Sequence, residues 1–311
     1  MRIAFFGSSE YSKIILKALY DAKKEIELVV TKPPKRKGRG RQVLPTPVGE
    51  FADSVGLDVF GYEGEESVRS LTMRMKRRKA NVIVLAGFGE ILPLKVINAV
   101  EYPLNIHPSL LPLYRGAAPI QRAIMNGEEK TGVTVFWMNE KMDAGDIIIQ
   151  RETEIYPFEV YTELERRLAL LGAEAILEVL ELIEAGEELP RTPQDEEKAT
   201  FAPKIKKEER AIDWNNPAWK IVNKIRGLAY EPGAYATFRN ERLKIYRAVA
   251  LKGASTTPGK IVSLRGGYIL VSANGGLVGI KEVHPEGRRK MDAQSFINGY
   301  RVKVGEIIRN G

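Results

Sequence analysis

The chain predicts an α/β domain built on a parallel, doubly wound sheet, followed by a second, smaller antiparallel barrel. Three observations carry this reading. Short apolar runs alternate with amphipathic helical stretches over the first half. A polar stretch at Glu187–Lys207, holding Pro190, Pro193 and Pro203, interrupts the pattern. Beyond it, short strand-like runs recur between Gly, Asn and Pro. The domains are placed at 1–189 and 208–311, with 190–207 as linker.

In chain order, Arg2–Phe6 is a short apolar strand ending at Gly7, and Tyr11–Tyr20 is a helix with Ile14, Ile15, Ala18 and Leu19 on one face. Ile26–Val30 is the next strand. Val48–Val55 reads as helix, Asp58–Phe60 as briefly extended, and Glu65–Lys79 as a helix with a basic end. Val82–Leu85 is a buried strand. Pro93–Ala99 opens with Pro in the first helical turn, where its missing N–H costs nothing. Leu104–His107, Thr134–Trp137 and Ile147–Ile155 are further strands, and Glu163–Ala185 is a long amphipathic helix stopped by Gly186. In the second domain a helix at Pro217–Leu228 precedes strands at Ala234–Phe238, Leu243–Val249, Lys260–Ser263, Tyr268–Ser272 and Leu277–Ile280, and a closing helix at Ala293–Ile297.

Composition narrows the chemistry. The chain of 311 residues has no Cys, which removes disulfides, thiolate metal sites and a Cys nucleophile, and fits the cytoplasm. His107 and His284 are its only histidines, so no histidine-rich metal site is expected. No apolar run approaches the ~20 residues of a membrane span, and no coiled-coil segment stands out, so a monomer is the default. Net charge is uneven: residues 201–311 carry +12 and residues 1–200 carry −4. The basic part suits either a polyanion partner or a solvated surface. Lys32–Arg41 holds six Lys/Arg and no acid, with two Pro and two Gly, and reads as a mobile surface loop. Arg74–Lys79 carries five more cations and reads as a solvated helix end.

Three segments carry chemistry. In Asn105-Ile106-His107-Pro108, strand alternation puts Asn105 and His107 on one face at the C-terminal end of a strand, where open α/β sheets place ligands. Asp143-Ala144-Gly145-Asp146 is a turn rich in carboxylate. Ala86–Leu92 is a Gly-containing loop after a buried strand. It is not a dinucleotide fingerprint, because Leu92 stands where GxGxxG needs its last Gly. An amide, an imidazole and a carboxylate together suit attack of an amine on a carbonyl-level carbon. The amide would bond the oxyanion, and the other two would move or hold protons. The same residues also fit an ordinary turn and cap.

These segments carry a resemblance. The run Asn105–Pro112, with RGAAPIQRAI (Arg115–Ile124), TGVT (Thr131–Thr134) and MDAGDII (Met142–Ile148), resembles the 10-formyltetrahydrofolate-dependent formyltransferases. RIAFFGSSEY near the start, GRGRQVLPTPV (Gly38–Val48), AGFGEILP, ERAIDWNNPA (Glu209–Ala218) and Arg289–Glu306 extend it along nearly the whole chain. The resemblance implies a Rossmann-like formyltransferase domain and a C-terminal OB-like barrel. It implies catalysis by Asn105, His107 and Asp143. It implies folate contacts from Ser109, Leu110, Leu111 and Pro112, and from Ala86, Gly87, Phe88, Gly89, Ile91 and Leu92. The implied formyl donor is 10-formyltetrahydrofolate, with no metal. The implied acceptor is initiator methionyl-tRNA, gripped by Lys35, Arg36, Lys37, Arg39 and Arg41 and by the basic second domain. A sugar-nucleotide or purine-precursor amine, or water, is the alternative acceptor, and a non-catalytic RNA-binding protein is the alternative outside enzymes.

Overall fold

The computed structural model describes residues 1–37 and 42–311. Its elements run β1 (Ile3–Phe6), α1 (Glu10–Asp21), β2 (Ile26–Thr31), β3 (Lys35–Lys37), β4 (Gln42–Leu44), α2 (Pro47–Ser54), β5 (Val59–Gly61), α3 (Val68–Arg77), β6 (Val82–Ala86), α4 (Leu94–Ile97), β7 (Tyr102–His107), α5 (Pro119–Asn126), β8 (Lys130–Trp137), β9 (Ile147–Glu154) and α6 (Tyr161–Ala185). They continue with α7 (Ala218–Gly227), β10 (Ala234–Phe238), β11 (Glu241–Leu251), β12 (Ile261–Arg265), β13 (Tyr268–Ala273), β14 (Gly276–Pro285), β15 (Met291–Asp292), α8 (Ala293–Tyr300) and β16 (Ile308–Arg309). Among the described residues, no helix is long and apolar enough to cross a membrane.

Two compact units emerge. The first holds Met1–Pro119, Lys130–Glu154 and Glu165–Ala202, and the second holds Ile120–Glu129, Ile155–Leu164 and Pro203–Gly311. In the first, a seven-stranded sheet runs β5-β2-β1-β6-β7-β8-β9. The strands from β5 to β7 are parallel, and β8 and β9 add antiparallel pairs. This is the parallel-containing sheet that the alternation predicted, and the Rossmann-like arrangement that the resemblance implied. Apolar alternation explains its layers. Ala4, Phe6, Leu28, Val30, Ile83 and Leu85 share a core with Leu71 and Met75 of α3 and Val96 and Ile97 of α4. On the other face, an added Cβ at Gly172 of α6 would lie 3.0 Å from Ile106 and from the Tyr11 hydroxyl, so a residue without Cβ lets that helix lie close. Helix starts are capped by sequence: Ser9 and Ser12 form a capping box on α1, and Thr46 accepts from Gly49 N–H ahead of Pro47 on α2. Each such cap is worth ~1 kcal/mol.

Lys35–Lys37 pairs antiparallel with Gln42–Leu44, so the ends of the basic segment form a two-stranded ladder rather than the loop expected. Backbone pairing needs no apolar alternation, and the charges hid it. Arg39 and Arg41 lie outside the described residues.

In the second unit the sheet order is β12-β13-β14-β11-β10-β16, antiparallel throughout, with β15 on β14. Its ends join. Ile261 N donates to Glu306 O, Gly305 N to Ile261 O and Ile308 N to Gly259 O, each at 2.8 Å. These backbone bonds cover the start of β12 with the chain that runs into β16, and the curled sheet gives the expected OB-like barrel. Trp214, Ile245, Ile261, Val271, Ile280 and Phe296 fill it. Helix α7 collects the two segments that interrupt the first unit. Arg226 Nη2 donates to Tyr156 O (2.9 Å) and its Nε to Glu159 O (3.0 Å). Gly227 sits where a Cβ would lie 2.9 Å from Gln121 O.

Candidate active site

Strand β7 delivers two of the expected residues. Asn105 and His107 share one face, while Leu104 and Ile106 are buried on the other. Pro108 ends the strand directly after His107. The exit loop is then pinned from below. Thr134 Oγ1, fully buried, donates to Ser109 O (2.7 Å) and accepts from Leu111 N (3.1 Å). Gln150 Nε2 donates to Leu111 O (2.8 Å), and Ser109 Oγ to Leu113 O (2.6 Å).

The loop returns to His107. Tyr114 has φ 60° and presents its carbonyl 2.9 Å from His107 Nε2. A carbonyl only accepts, so Nε2 carries a proton. Nδ1 is therefore the free ring position, and it lies 3.7 Å from Asp143 Oδ2. That oxygen also accepts from Gly116 N at 2.8 Å. Both side chains are largely buried, so their interaction is little screened by water.

Asp143 reaches this place by a tight turn. Its φ is 52°, a left-handed conformation that Asp tolerates better than most residues. Trp137 N donates to Asp146 O (2.9 Å), closing the turn. A Cβ on Gly145 would fall 1.7 Å from Trp137 O, so only glycine permits this closure.

Sequence reasoning missed the strap that holds the turn. Gln194, in the segment read as linker, donates from Nε2 to Asp143 O (3.0 Å) and Gly145 O (2.8 Å). Arg115, buried, bonds Gln194 Oε1 and both oxygens of Glu196. The Arg115 guanidinium holds the Glu196 carboxyl below the usual range, against a smaller opposing effect of burial. The RGAAP motif was the available signal for Arg115; nothing local marks Gln194 or Glu196.

An open cleft adjoins the pair. Its lining includes Asn105, Asp143, Glu90, Ile91, Leu92 and Met138. Among the described residues the Asn105 side chain has no hydrogen-bond partner. Of the ten residues expected to meet the folate, Ile91 and Leu92 line this cleft. The others stand elsewhere. Phe88 is buried edge-on to Phe6, Ala86 is the buried end of β6, and Gly87 and Gly89 supply positive φ. Ser109 and Leu111 are buried, and Leu110 and Pro112 belong to the exit loop. Lys35 is exposed at the start of β3, in the same short strand as Arg36 and Lys37.

Comparison with known proteins agrees with this architecture. Residues 1–180 match the family described as Formyl transferase, and residues 204–301 match Formyl transferase, C-terminal domain. The methionyl-tRNA formyltransferase of Dictyoglomus thermophilum is 40% identical over 311 residues, spanning 98% of this chain and 99% of the relative. That of Carboxydothermus hydrogenoformans is 41% identical over 314 residues, with the same coverage. Two solved structures share the fold. HypX from Aquifex aeolicus, in complex with tetrahydrofolic acid, has a TM-score of 0.69 at 22% identity; the match covers 98% of this chain and 48% of HypX, about half its length. The sugar 3N-formyl transferase WlaRD, with dTDP and 5-N-formyl-THF, has a TM-score of 0.64 at 17% identity over 93% of this chain and 99% of its own. With both family domains matched in order and relatives of about 40% identity along their full length, the chain belongs to the formyl transferase family.

Proposed function

We propose that this chain transfers a formyl group from 10-formyltetrahydrofolate to the α-amino group of methionine on initiator methionyl-tRNA, in the cytoplasm. One observation carries the reading: full-length identity of about 40% to enzymes named for that reaction, across both the catalytic and the C-terminal domain.

The residues supply a mechanism. The pteridine end of the donor enters the cleft between Ile91–Leu92 and the Met138–Asp143 turn, which sets the formyl carbon beside Asn105. The methionine amine attacks that carbon, and the carbonyl electrons move to oxygen. The Asn105 amide N–H, without another partner among the described residues, stabilises the oxyanion. His107 Nδ1 takes the proton that the amine loses, and Asp143 stabilises the imidazolium so formed. The C–N10 bond then breaks, and the proton passes to N10. The products are the formamide and tetrahydrofolate. No step calls on a metal.

Lys35, Arg36, Lys37, Arg39 and Arg41, with the +12 C-terminal segment, supply phosphate contacts to the acceptor arm. Replacing Lys35, Arg36 and Lys37 by Gln should raise KM for the tRNA and leave kcat nearly unchanged. It should also reduce the slope of log KM against log salt by up to about three, one per lost contact. An unchanged slope would place these residues away from RNA.

A further inference from the structure

Lys32 directly follows β2, with two residues between it and the basic ladder, and its two ends are held by different parts of the first unit. Its backbone N donates to Ser8 Oγ (3.1 Å), and Ser8 lies in a chain of hydroxyls with Thr31 and Thr46. Pro33 and Pro34 follow, so little backbone freedom separates Lys32 from β3. The side chain points the other way. Its Nζ donates to Gly89 O (3.1 Å) and pairs with Glu90 Oε1 (2.8 Å).

Those contacts fall on the cleft's outer wall. The Gly87–Ile91 loop is fastened on its inner side by Phe88, buried against Phe6 and Tyr62. Beyond that anchor, Gly89 has φ 72° and Ile91 is 68% exposed, so the tip has little packing of its own. Glu90 and Ile91 at this tip both line the cleft. Lys32 is thus a tie between the tip of the cleft wall and the chain leading into β3 at Lys35.

We propose that Lys32 is a positioning residue: it holds the Gly89–Ile91 tip in place at the folate cleft and couples that tip to the Lys35–Lys37 strand, so that RNA on that strand raises affinity for the folate. This rests on the cleft being the folate site of the proposed reaction. A cation held by one carboxylate and one carbonyl can stiffen the tip without touching the reacting atoms. Its pair is about half exposed, so the effect is modest.

The test is binding of 5-formyltetrahydrofolate, an unreactive donor analogue, measured by calorimetry with and without uncharged initiator tRNA. Lys32→Met should weaken folate binding about three- to tenfold and bring the tRNA-induced gain in folate affinity close to one. Lys32→Arg should restore most of both. The exchange Lys32→Glu with Glu90→Lys should recover part of the folate affinity, because the ion pair is rebuilt with reversed charge while the bond to Gly89 O, which a carboxylate cannot donate, is lost. Folate affinity within twofold of wild type in Lys32→Met would overturn the tie, as would an exchange variant no tighter than Lys32→Met. Wild-type protein that binds no folate would instead remove the formyl-donor reading, and this inference with it.

Discussion

Around His107 in the first unit, Tyr114, Gly116 and Asp143 all hold positive φ, and polar bonds from His107, Asp143 and Gln194 fix the geometry. Around Trp214 in the second unit, the packing is apolar and the backbone bonds close a barrel. The two regions use glycine alike and for different ends. Gly145 lets a turn close so that a carboxylate meets an imidazole. Gly259 lets β16 approach so that a sheet meets its own end; a Cβ there would lie 2.3 Å from Ile308 O. The contrast teaches that one region spends local strain on geometry, and the other uses close packing for stability.

The largest expected effect breaks the comparison on the polar side. His107→Ala, Asn105→Ala and Asp143→Asn should each lower kcat by ~10²–10³-fold or more, with thermal unfolding little changed. Wild-type turnover in any one would remove that residue from the mechanism. The glycine pair comes next. Gly145→Ala should cut kcat by about 100-fold through a misplaced Asp143, whereas Gly259→Ala should lower stability by about 2–4 kcal/mol and leave kcat of the folded fraction intact. Equal effects on rate and stability at both sites would erase the distinction.

Much of this was legible in the sequence, and the exceptions have physical causes. Period-two alternation put Asn105 and His107 on one face, and β7 ends where Pro108 requires. Apolar periodicity located α1, β6 and α6 to within a few residues. β8 starts at Lys130 rather than Thr134, because the Lys130–Gly132 start pairs through its backbone with Glu152–Glu154. Helix α5 was unassigned beyond its motif. The strap was the harder miss. Gln194 acts on a carbonyl 51 residues away, inside a Pro-rich polar stretch that locally resembles any connector. Tyr114 contributes a carbonyl, which no side-chain pattern reports.

The smallest expected effect tests that strap. Glu196 has a lowered folded-state pKa, chiefly from its bond to Arg115. Its contribution is therefore fully present above the unfolded Glu value of ~4.3 and is lost as pH falls through the lower folded value. Wild type should lose rigidity of the Asp143 turn in that acid window, seen as faster amide exchange at Gly145. Glu196→Gln should show the faster exchange already at neutral pH. Identical profiles for the two proteins would mean that Gln194 alone holds the turn.

The central claim is the reaction itself. The most direct measurement is formyl transfer from 10-formyltetrahydrofolate to charged initiator methionyl-tRNA, with uncharged tRNA and tRNA-free controls. The account requires formyl-methionyl-tRNA with the charged tRNA alone, and its loss in His107→Ala. Donor consumption without tRNA, or no consumption at all, would contradict it.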